Sequence, residues 1–581
     1  MVKYHSWSGI TDRGRDYMEL GTPRGFRDTM LDEAEMREQI CSAIGAYFSS
    51  QNYRLIHTPV AERLDCMAAG SGDQGATSPL LENAFRFVDV DGELLSLRVD
   101  VTLPIARVAA TRFKNIPGPY RLRYCTEVFR EQESLRGQPR AITQIGIEFL
   151  DADGVAADTE VVKLALGALA TAGLEDFSLN IGNVAIFMGC IESLDGSYLG
   201  ADPSLWRRDV VAAAHKGDFV AVRELVAASD IPKNVRACLT ALPFIRGGAE
   251  ALAECRTLLD AAGVTGQAIE ALDTLGKIYV ALEQSGYGAF VTVDFSLMLD
   301  MGYYTGLVFE VYTRTFGLPL GSGGRYDNVV GLLGRAMPAA GFAFDLGRLE
   351  NALRLSEDEG ANNSHRTGNH LRIAVPKGAL FEGSLDLLEQ AGLDVTGLRD
   401  PKRQLRILTD EIEYIIAKPT DVAIYVANGA VDCGIGGKDI LVEADYPLLE
   451  FVDLKFGGCK FVVAQPAYDT QTLGERALRQ GCVRVATKYP RLTSRYFDSL
   501  GIQAEIVKLN GNIELAPLIG ISDVIVDITA TGTTLRENNL VAIQDVTPST
   551  ARFVANPASA RTDKRVSNLA KILYDLVEEG R

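Results

Sequence analysis

The chain has 581 residues, of which 47% are hydrophobic and 23% charged, and its formal net charge is −18. Such a length exceeds one hydrophobic core and calls for several structural units, and the acidic balance argues against a general nucleic-acid binder, whose affinity comes largely from cationic contacts to phosphates. No apolar run approaches the roughly 18 residues of a membrane helix, and "MVKYHSWSGITDRGRDYMEL" lacks the apolar core of a signal peptide, so a cytoplasmic protein with no membrane partner is expected.

In chain order, residues 1–20 form an extension without an assigned role. "TMLDEAEMREQICSAIGAYFSSQNY" (29–53) places apolar residues at helical spacing, which predicts an amphipathic helix. "YRLRYCTEVFR" and "AITQIGIEFLD" are β-rich runs around the charged loop "EQESLRGQPR", the pattern of a long antiparallel hairpin. Residues from about 190 to 285 are rich in Ala, Leu and Glu and are predicted to form a helical insert. "AFVTVDFSLML" and "TGLVFEVYTR" return to strand character. Strands and helices thus fall in separate blocks, which predicts an α+β fold with an antiparallel sheet. "LSEDEGANNSHRTGNH" (355–370) is polar and short-sided, the composition of an exposed linker. Beyond it "RIAVP", "YIIAK", "VDCGIGG", "KFVVAQ", "RVATK", "AEIVKL" and "DVIVDI" alternate with helical stretches, which predicts βα units and mainly parallel sheets. The nine cysteines are scattered, odd in number and form no CxxC, which points to buried free thiols. The five histidines, His5, His57, His215, His365 and His370, show no metal-ligand spacing.

One stretch invites a chemical reading. In "DVIVDITATGTTLREN" (523–538) a strand of buried composition runs into Asp527 and then Thr529, Ala530, Thr531, Gly532, Thr533 and Thr534. The loop should lie at the carboxyl end of a sheet strand, where open α/β sheets bind ligands. Its hydroxyls and unobstructed N–H groups, with a helix starting near Leu535, suit an anion. A carboxylate repels phosphate, so Asp527 suits sugar hydroxyls or a divalent cation. Taken alone, a plain strand–turn–helix with a capping threonine accounts for the stretch equally well. "GIGGKD" (434–439) and "GSGG" (321–324) fit neither GxGxxG nor a Walker loop.

Six motifs in order change that balance: "IAVPKG", "GAVDCGIGGKDIL", "KFGGCKFVVA", "RVATKYPRLTSRYF", "VKLNGNIELAPL" and "DITATGTTLREN". Residues 371–581 resemble the catalytic subunit of ATP phosphoribosyltransferase, which opens histidine biosynthesis by converting ATP and phosphoribosyl pyrophosphate (PRPP) to phosphoribosyl-ATP and pyrophosphate with Mg2+. The resemblance implies two α/β lobes around a cleft, as in periplasmic binding proteins. Lobe one would be 371–465 and 554–581 and lobe two 466–553, with the chain crossing near Val462–Pro466 and returning near Phe553–Pro557. It also implies that the 527–534 loop and Glu514 hold PRPP. Lys377, Arg403 and Lys418 would be the catalytic cations near nucleotide and pyrophosphate; relatives often carry arginine at 418, and lysine is a point charge rather than a bidentate fork. Mg2+ would be held mainly through substrate phosphates, with Asp527 or Glu514 as candidate protein ligands.

A second ordered set, "GTPRGFRD", "LRVDVTLPIAR", "EVFREQE", "TQIGIEFLD", "GYYTGLVFEVY", "GSGGRYD" and "GFAFDLGRLE", resembles the class II aminoacyl-tRNA synthetase core of histidyl-tRNA synthetase over about 21–355. The resemblance places Arg130 on ATP phosphate and Asp100, Thr102, Gln144, Glu148, Tyr303 and Tyr304 around histidine. The departures are as informative. Leu299 stands where synthetases carry a catalytic arginine, "AITQ" replaces "EFHQ", Asp345 and Gly347 replace a Gly and a Glu, and no anticodon-binding domain follows. A leucine cannot neutralise the charge formed in aminoacyl transfer. The pattern is that of the synthetase-like regulatory subunit that partners the short catalytic form, here in one chain with it. The expectation is a fused ATP phosphoribosyltransferase inhibited by histidine, forming a homo-oligomer (dimer or tetramer) and binding no tRNA. A non-enzymatic ligand sensor and an RNA-binding synthetase paralogue are the competing readings.

Overall fold

The computed structural model describes residues 21–70, 79–131, 137–298, 303–361 and 370–579. The extension 1–20 and Leu299 lie outside them.

The helix predicted at 29–53 is Leu31–Ser50, and its buried residues Ile40, Ile44 and Phe48 keep the helical spacing. They pack in one core with residues of a sheet that includes the predicted hairpin. Tyr120–Phe129 and Ala141–Leu150 pair antiparallel in one register, from Tyr120↔Leu150 to Phe129↔Ala141. Alternation sends Ile145, Ile147 and Phe149 into one core with Ile44, Phe48 and Val161. It sends Tyr120, Leu122, Tyr124 and Val128 into another with Val99, Ile105 and Val329. Nine strands join in the order Arg54–Leu55, Tyr120–Phe129, Ala141–Leu150, Ala339–Asp345, Phe316–Arg325, Leu307–Thr313, Ser178–Asn183, Val291–Asp294 and Arg246–Gly247. The sheet is antiparallel except at its first pair and at Ser178–Asn183 with Val291–Asp294.

The insert is helical as expected: Pro203–His215, Phe219–Ala227, Lys233–Ala241, Ala249–Ala262 and Gln267–Gln284. The strand predicted from "AFVTVDFSLML" is shorter, Val291–Asp294, because the Asp294 carboxylate turns back to accept from the N–H and hydroxyl of Ser296. The helix Leu346–Ala361 runs into the stretch predicted as linker, which holds no proline before its end; residues 362–369 of that stretch are outside the described part. Four cysteines, Cys190, Cys238, Cys255 and Cys433, are buried; the other five are free but partly exposed, contrary to the expectation that all are buried.

The second part has two sheets. One runs Arg406–Leu408, Ile412–Ala417, Leu371–Pro376, Cys433–Gly437, Ala551–Ala555, Leu449–Asp453; the other runs Ala504–Lys508, Val483–Thr487, Val524–Thr529, Cys459–Pro466, Leu540–Ser549. Two expectations need correction. The sheets are mixed rather than mainly parallel: Ala551–Ala555 runs antiparallel to both its neighbours, and so does Cys459–Pro466. The crossings also lie earlier than placed. Cys459–Pro466 pairs wholly within lobe two, so the chain crosses between Asp453 and Cys459 and returns at Thr550. Strand pairing with partners some 60–90 residues later decides this, and an apolar run by itself does not show its partners.

The two parts dock closely. The carbonyl of Gly217 accepts from the N–H of Glu450 at 2.8 Å, and Asp218 bridges Glu450 in parallel, extending the lobe-one sheet beyond its edge strand Leu449–Asp453. Gly317 and Gly429 approach so closely that a Cβ on either would lie 2.5 Å from the other's Cα. Arg561 of lobe one enters the first part, donating to Asp294 at 3.1 Å and to the Tyr312 hydroxyl at 2.7 Å. Burial pushes the Asp294 carboxyl up, but Arg246 and Arg561 outweigh it and hold it below its ordinary value.

Candidate functional site

The strand Val524–Thr529 is buried at Val524, Ile525 and Val526 and surfaces at Asp527. Asp527 Oδ1 accepts the N–H of Ile528 at 2.8 Å, and Thr529 Oγ1 accepts that of Gly532 at 2.9 Å. Gly532 has φ +71, which a side chain resists. The Thr531 and Thr533 hydroxyls lie 2.9 Å apart. Ala530, Thr531, Thr533 and Thr534 are exposed at the tip. The helix expected near Leu535 begins at Thr533 and ends at Glu537. So short a helix has little dipole, and the cation on it, Arg536, matters more. Its guanidinium donates to the Thr531 carbonyl and the Thr533 hydroxyl, both at 3.1 Å.

Burial pushes the Asp527 carboxyl up to about 6; the Ile528 N–H and Lys488 oppose the rise, and Glu514 adds to it. Glu514, which opens the helix Leu515–Leu518, and Lys488, which follows the strand Val483–Thr487, therefore share the Asp527 neighbourhood. Lys488 and Arg536 were not found from sequence. Lys488 stands in the quoted "RVATKYPRL" run, and asking which residue follows each parallel strand would have found it.

In lobe one, Lys377 and Lys418 follow the adjacent parallel strands Leu371–Pro376 and Ile412–Ala417, and the N–H of Lys377 bonds the Ala417 carbonyl at 2.8 Å. Arg403 lies in the loop before Arg406–Leu408. All three are exposed and form no ion pair among the described residues. Cys433–Gly437 is parallel to Leu371–Pro376, and Asp439 just beyond it accepts the Tyr489 hydroxyl of lobe two at 3.3 Å. The carboxyl edges of the two sheets therefore face each other, with the lysines on one and the Asp527 loop on the other. Among the described residues no group of three or more His, Cys, Asp or Glu could hold a metal ion.

The first part holds a cavity of about 130 Å³. Asp100, Thr102, Arg130, Gln144, Tyr303 and Tyr304 line it, together with Tyr124, Tyr326 and Arg348, which sequence reading missed. Glu148 does not reach it. Its oxygens accept from the hydroxyls of Thr102 at 2.8 Å, Tyr124 at 3.4 Å and Tyr326, three residues that do line the space. Burial pushes Glu148 up to about 8 and Asp100 up to about 6. Among the described residues Asp100 Oδ2 is buried without a hydrogen-bond partner, an acceptor left open at the cavity.

Residues 25–349, more than half the chain, match the family described as histidyl-tRNA synthetase, and residues 418–576 match the family described as ATP phosphoribosyltransferase. An ATP phosphoribosyltransferase of Rubrobacter xylanophilus is 46% identical over 211 residues, 36% of this chain and 97% of that protein. An ATP phosphoribosyltransferase regulatory subunit of Symbiobacterium thermophilum is 37% identical over 360 residues, 61% of this chain and 84% of that protein. Among solved structures, an ATP phosphoribosyltransferase regulatory subunit/histidyl-tRNA synthetase from Bacillus halodurans superposes with TM-score 0.52 and 28% identity, covering 70% of this chain and 94% of that one.

Proposed function

The chain belongs to the histidyl-tRNA synthetase family over its first part and to the ATP phosphoribosyltransferase family over its second, and from that premise we propose that it transfers the phosphoribosyl group of PRPP to ATP under control of its synthetase-like part. The observation that carries this reading is the Asp527 loop on one sheet edge, facing Lys377 and Lys418 on the other.

The chemistry asks for position and charge. N1 of adenine attacks C1 of the ribose, the transition state has oxocarbenium character, and pyrophosphate leaves. The N–H groups and hydroxyls of 529–534 hold the 5-phosphate, with Arg536 bracing the loop. Asp527 and Glu514 accept from the ribose hydroxyls. Lys377, Arg403 and Lys418 stabilise charge growing on pyrophosphate; by analogy with oxyanion donors each such contact supplies about 3 kcal/mol. No nucleophilic side chain is required. Mg2+ would neutralise the pyrophosphate charge. Mg2+ sites are commonly built from one or two carboxylates plus substrate phosphates, which suits the Asp527–Glu514 pair.

The cavity of the first part binds free histidine as inhibitor. The unpartnered Asp100 oxygen accepts from the α-ammonium, and Gln144, Tyr303 and Tyr304 orient the ligand. Glu148 acts through the hydroxyls of Thr102, Tyr124 and Tyr326 rather than by contact. Leu299 in place of arginine removes a cation that aminoacyl transfer needs, so no tRNA is charged. The protein works in the cytoplasm as a homo-oligomer.

The test is incubation of the full chain with ATP, PRPP and Mg2+, following the adduct by ultraviolet absorbance. A rise that needs both substrates and slows with added histidine is expected. No rise would overturn the catalytic assignment, and a rise indifferent to histidine the regulatory one.

A further inference from the structure

Three residues outside the reacting groups, Lys438, Asp439 and Tyr489, lie on one path between the synthetase-like part and the Asp527 loop. The path starts at Asp218 of the helical insert. Its Oδ1 caps the helix Phe219–Ala227 by accepting from Ala221 at 2.9 Å, and its Oδ2 accepts from Lys438 Nζ at 2.7 Å. Glu450 takes the same ammonium at 2.7 Å. Burial pulls the lysine down, but Glu450 and Asp218 outweigh it and hold it charged. The Lys438 N–H donates to the carbonyl of Thr550, the residue at which the chain returns between the lobes, at 3.0 Å. Lys438 is thus held by the regulatory part at its side chain and by the hinge at its backbone.

The next residue points the other way. Asp439 is 9% exposed; its N–H donates to Ser549 Oγ at 3.0 Å, and its carboxylate accepts from Ser549 at 3.2 Å and from the Tyr489 hydroxyl at 3.3 Å. A turn later in the helix Lys438–Ala444, Glu443 accepts the N–H groups of Arg491 and Leu492 at 3.1 and 3.2 Å. It thereby caps the helix Pro490–Ser499, whose own cap residue supplies no side-chain bond. Tyr489 is 2% exposed and stands edge-on to Phe461 at 4.8 Å. Its chain neighbour Lys488 acts on Asp527, and Asp527 in turn helps to raise the Tyr489 hydroxyl.

We propose that Asp218, Lys438, Asp439 and Tyr489 are positioning residues through which the synthetase-like part sets the approach of the two lobes, and with it the placement of Lys488 and Asp527 for phosphoribosyl transfer. The proposal rests on the phosphoribosyltransferase reading above and adds a physical route by which one part controls the other. None of the four is among the residues assigned above to ATP, PRPP or pyrophosphate. Each fixes the next, and the helix Lys438–Ala444, gripped at both ends, is the rigid piece between them.

The test uses the full chain and variants that keep each local structure. Asp218→Asn keeps the helix cap but removes the negative charge that the first part presents to Lys438. Tyr489→Phe keeps the ring on Phe461 but loses the hydroxyl. Each should lower kcat about tenfold with KM for ATP and PRPP within about twofold, because misplacement is felt in the transition state. The double variant should be no worse than the poorer single one. Arg484→Ala, which breaks the Arg484–Asp523 pair on the far side of lobe two, should lose stability without the kcat effect. Effects that multiply in the double variant, or kcat unchanged in both single variants, would overturn the path. Hydrogen exchange separates this from failure of the reading itself. Should the wild type show no transfer, faster exchange at 487–492 in Asp218→Asn still supports the route, and unchanged exchange there overturns it.

Discussion

Asp527 sits where the fold would be better off without a charge. Its carboxyl is held near 6 instead of 3.8, chiefly by burial. A raised carboxyl stabilises the fold below its unfolded value and loses that contribution as pH climbs through the folded one, so at pH 7.5 the ionised group costs the fold about 3 kcal/mol. Asp527→Asn should therefore abolish turnover yet raise the melting temperature at pH 7.5, with the gain shrinking as pH falls toward 4. Thermal unfolding at several pH values measures it, and a variant less stable than wild type at pH 7.5 would contradict the account. Asp100 makes a related prediction. Its carboxyl, near 6, gives an α-ammonium a charge-assisted hydrogen bond only when ionised. Histidine affinity should fall as pH drops from 7.5 to 5, and Asp100→Asn should weaken binding about tenfold, a loss of ~1.4 kcal/mol, while flattening this dependence. Calorimetry across the range decides, because the titration of free histidine is common to both proteins.

At the scale of elements, the loop 529–534 is shaped by one backbone position. Gly532 has φ +71, and a Cβ there would lie 3.2 Å from the Arg536 guanidinium that braces the loop. Gly532→Ala should cost about 1 kcal/mol of stability and raise KM for PRPP more than KM for ATP, as steady-state kinetics would show. The strand before this loop was legible from its apolar run, but the use of its carboxylate and Thr/Gly loop was legible only together with the other ordered motifs of the second part, since alone the stretch also suits a plain strand–turn–helix. The hairpin Tyr120–Phe129 with Ala141–Leu150 was legible for a similar reason: both strands alternate and the loop between is charged. Lys488 and Arg536 were less visible. A single exposed cation carries no spacing, and its meaning comes from a carboxylate or carbonyl brought near by folding. The lobe crossings were misplaced because Cys459–Pro466 is as apolar as a lobe-one strand, and only its antiparallel partners assign it. Asp218 was hidden differently. It looks like an ordinary helix cap, and it is one; its second oxygen, on Lys438, has no local signature.

At the scale of the whole molecule, the joint between the parts holds buried charge. Arg561 and Asp294 are nearly inaccessible, and Arg246 shares the Asp294 carboxylate at 3.2 Å. Arg561→Ala leaves that carboxylate with one cation instead of two and opens a void beside Tyr312. It should cost at least about 2 kcal/mol and loosen the coupling between the two parts, so that calorimetry shows their melting further apart than in the unaltered chain. A single transition at an unchanged temperature would mean that the joint contributes little to cohesion. A different consequence follows from Gly217 and Asp218 lying along the edge of the lobe-one sheet. The strand they cover, "LEFVD", is buried along its length, and uncovered it would offer backbone groups to any passing strand. In a chain made from its amino end, the cover leaves the ribosome more than two hundred residues before the strand it protects. Fusion thus supplies each copy of this lobe-one edge with its own guard in advance and in equal number, and the vulnerable edge need never meet a second copy of itself before it is closed.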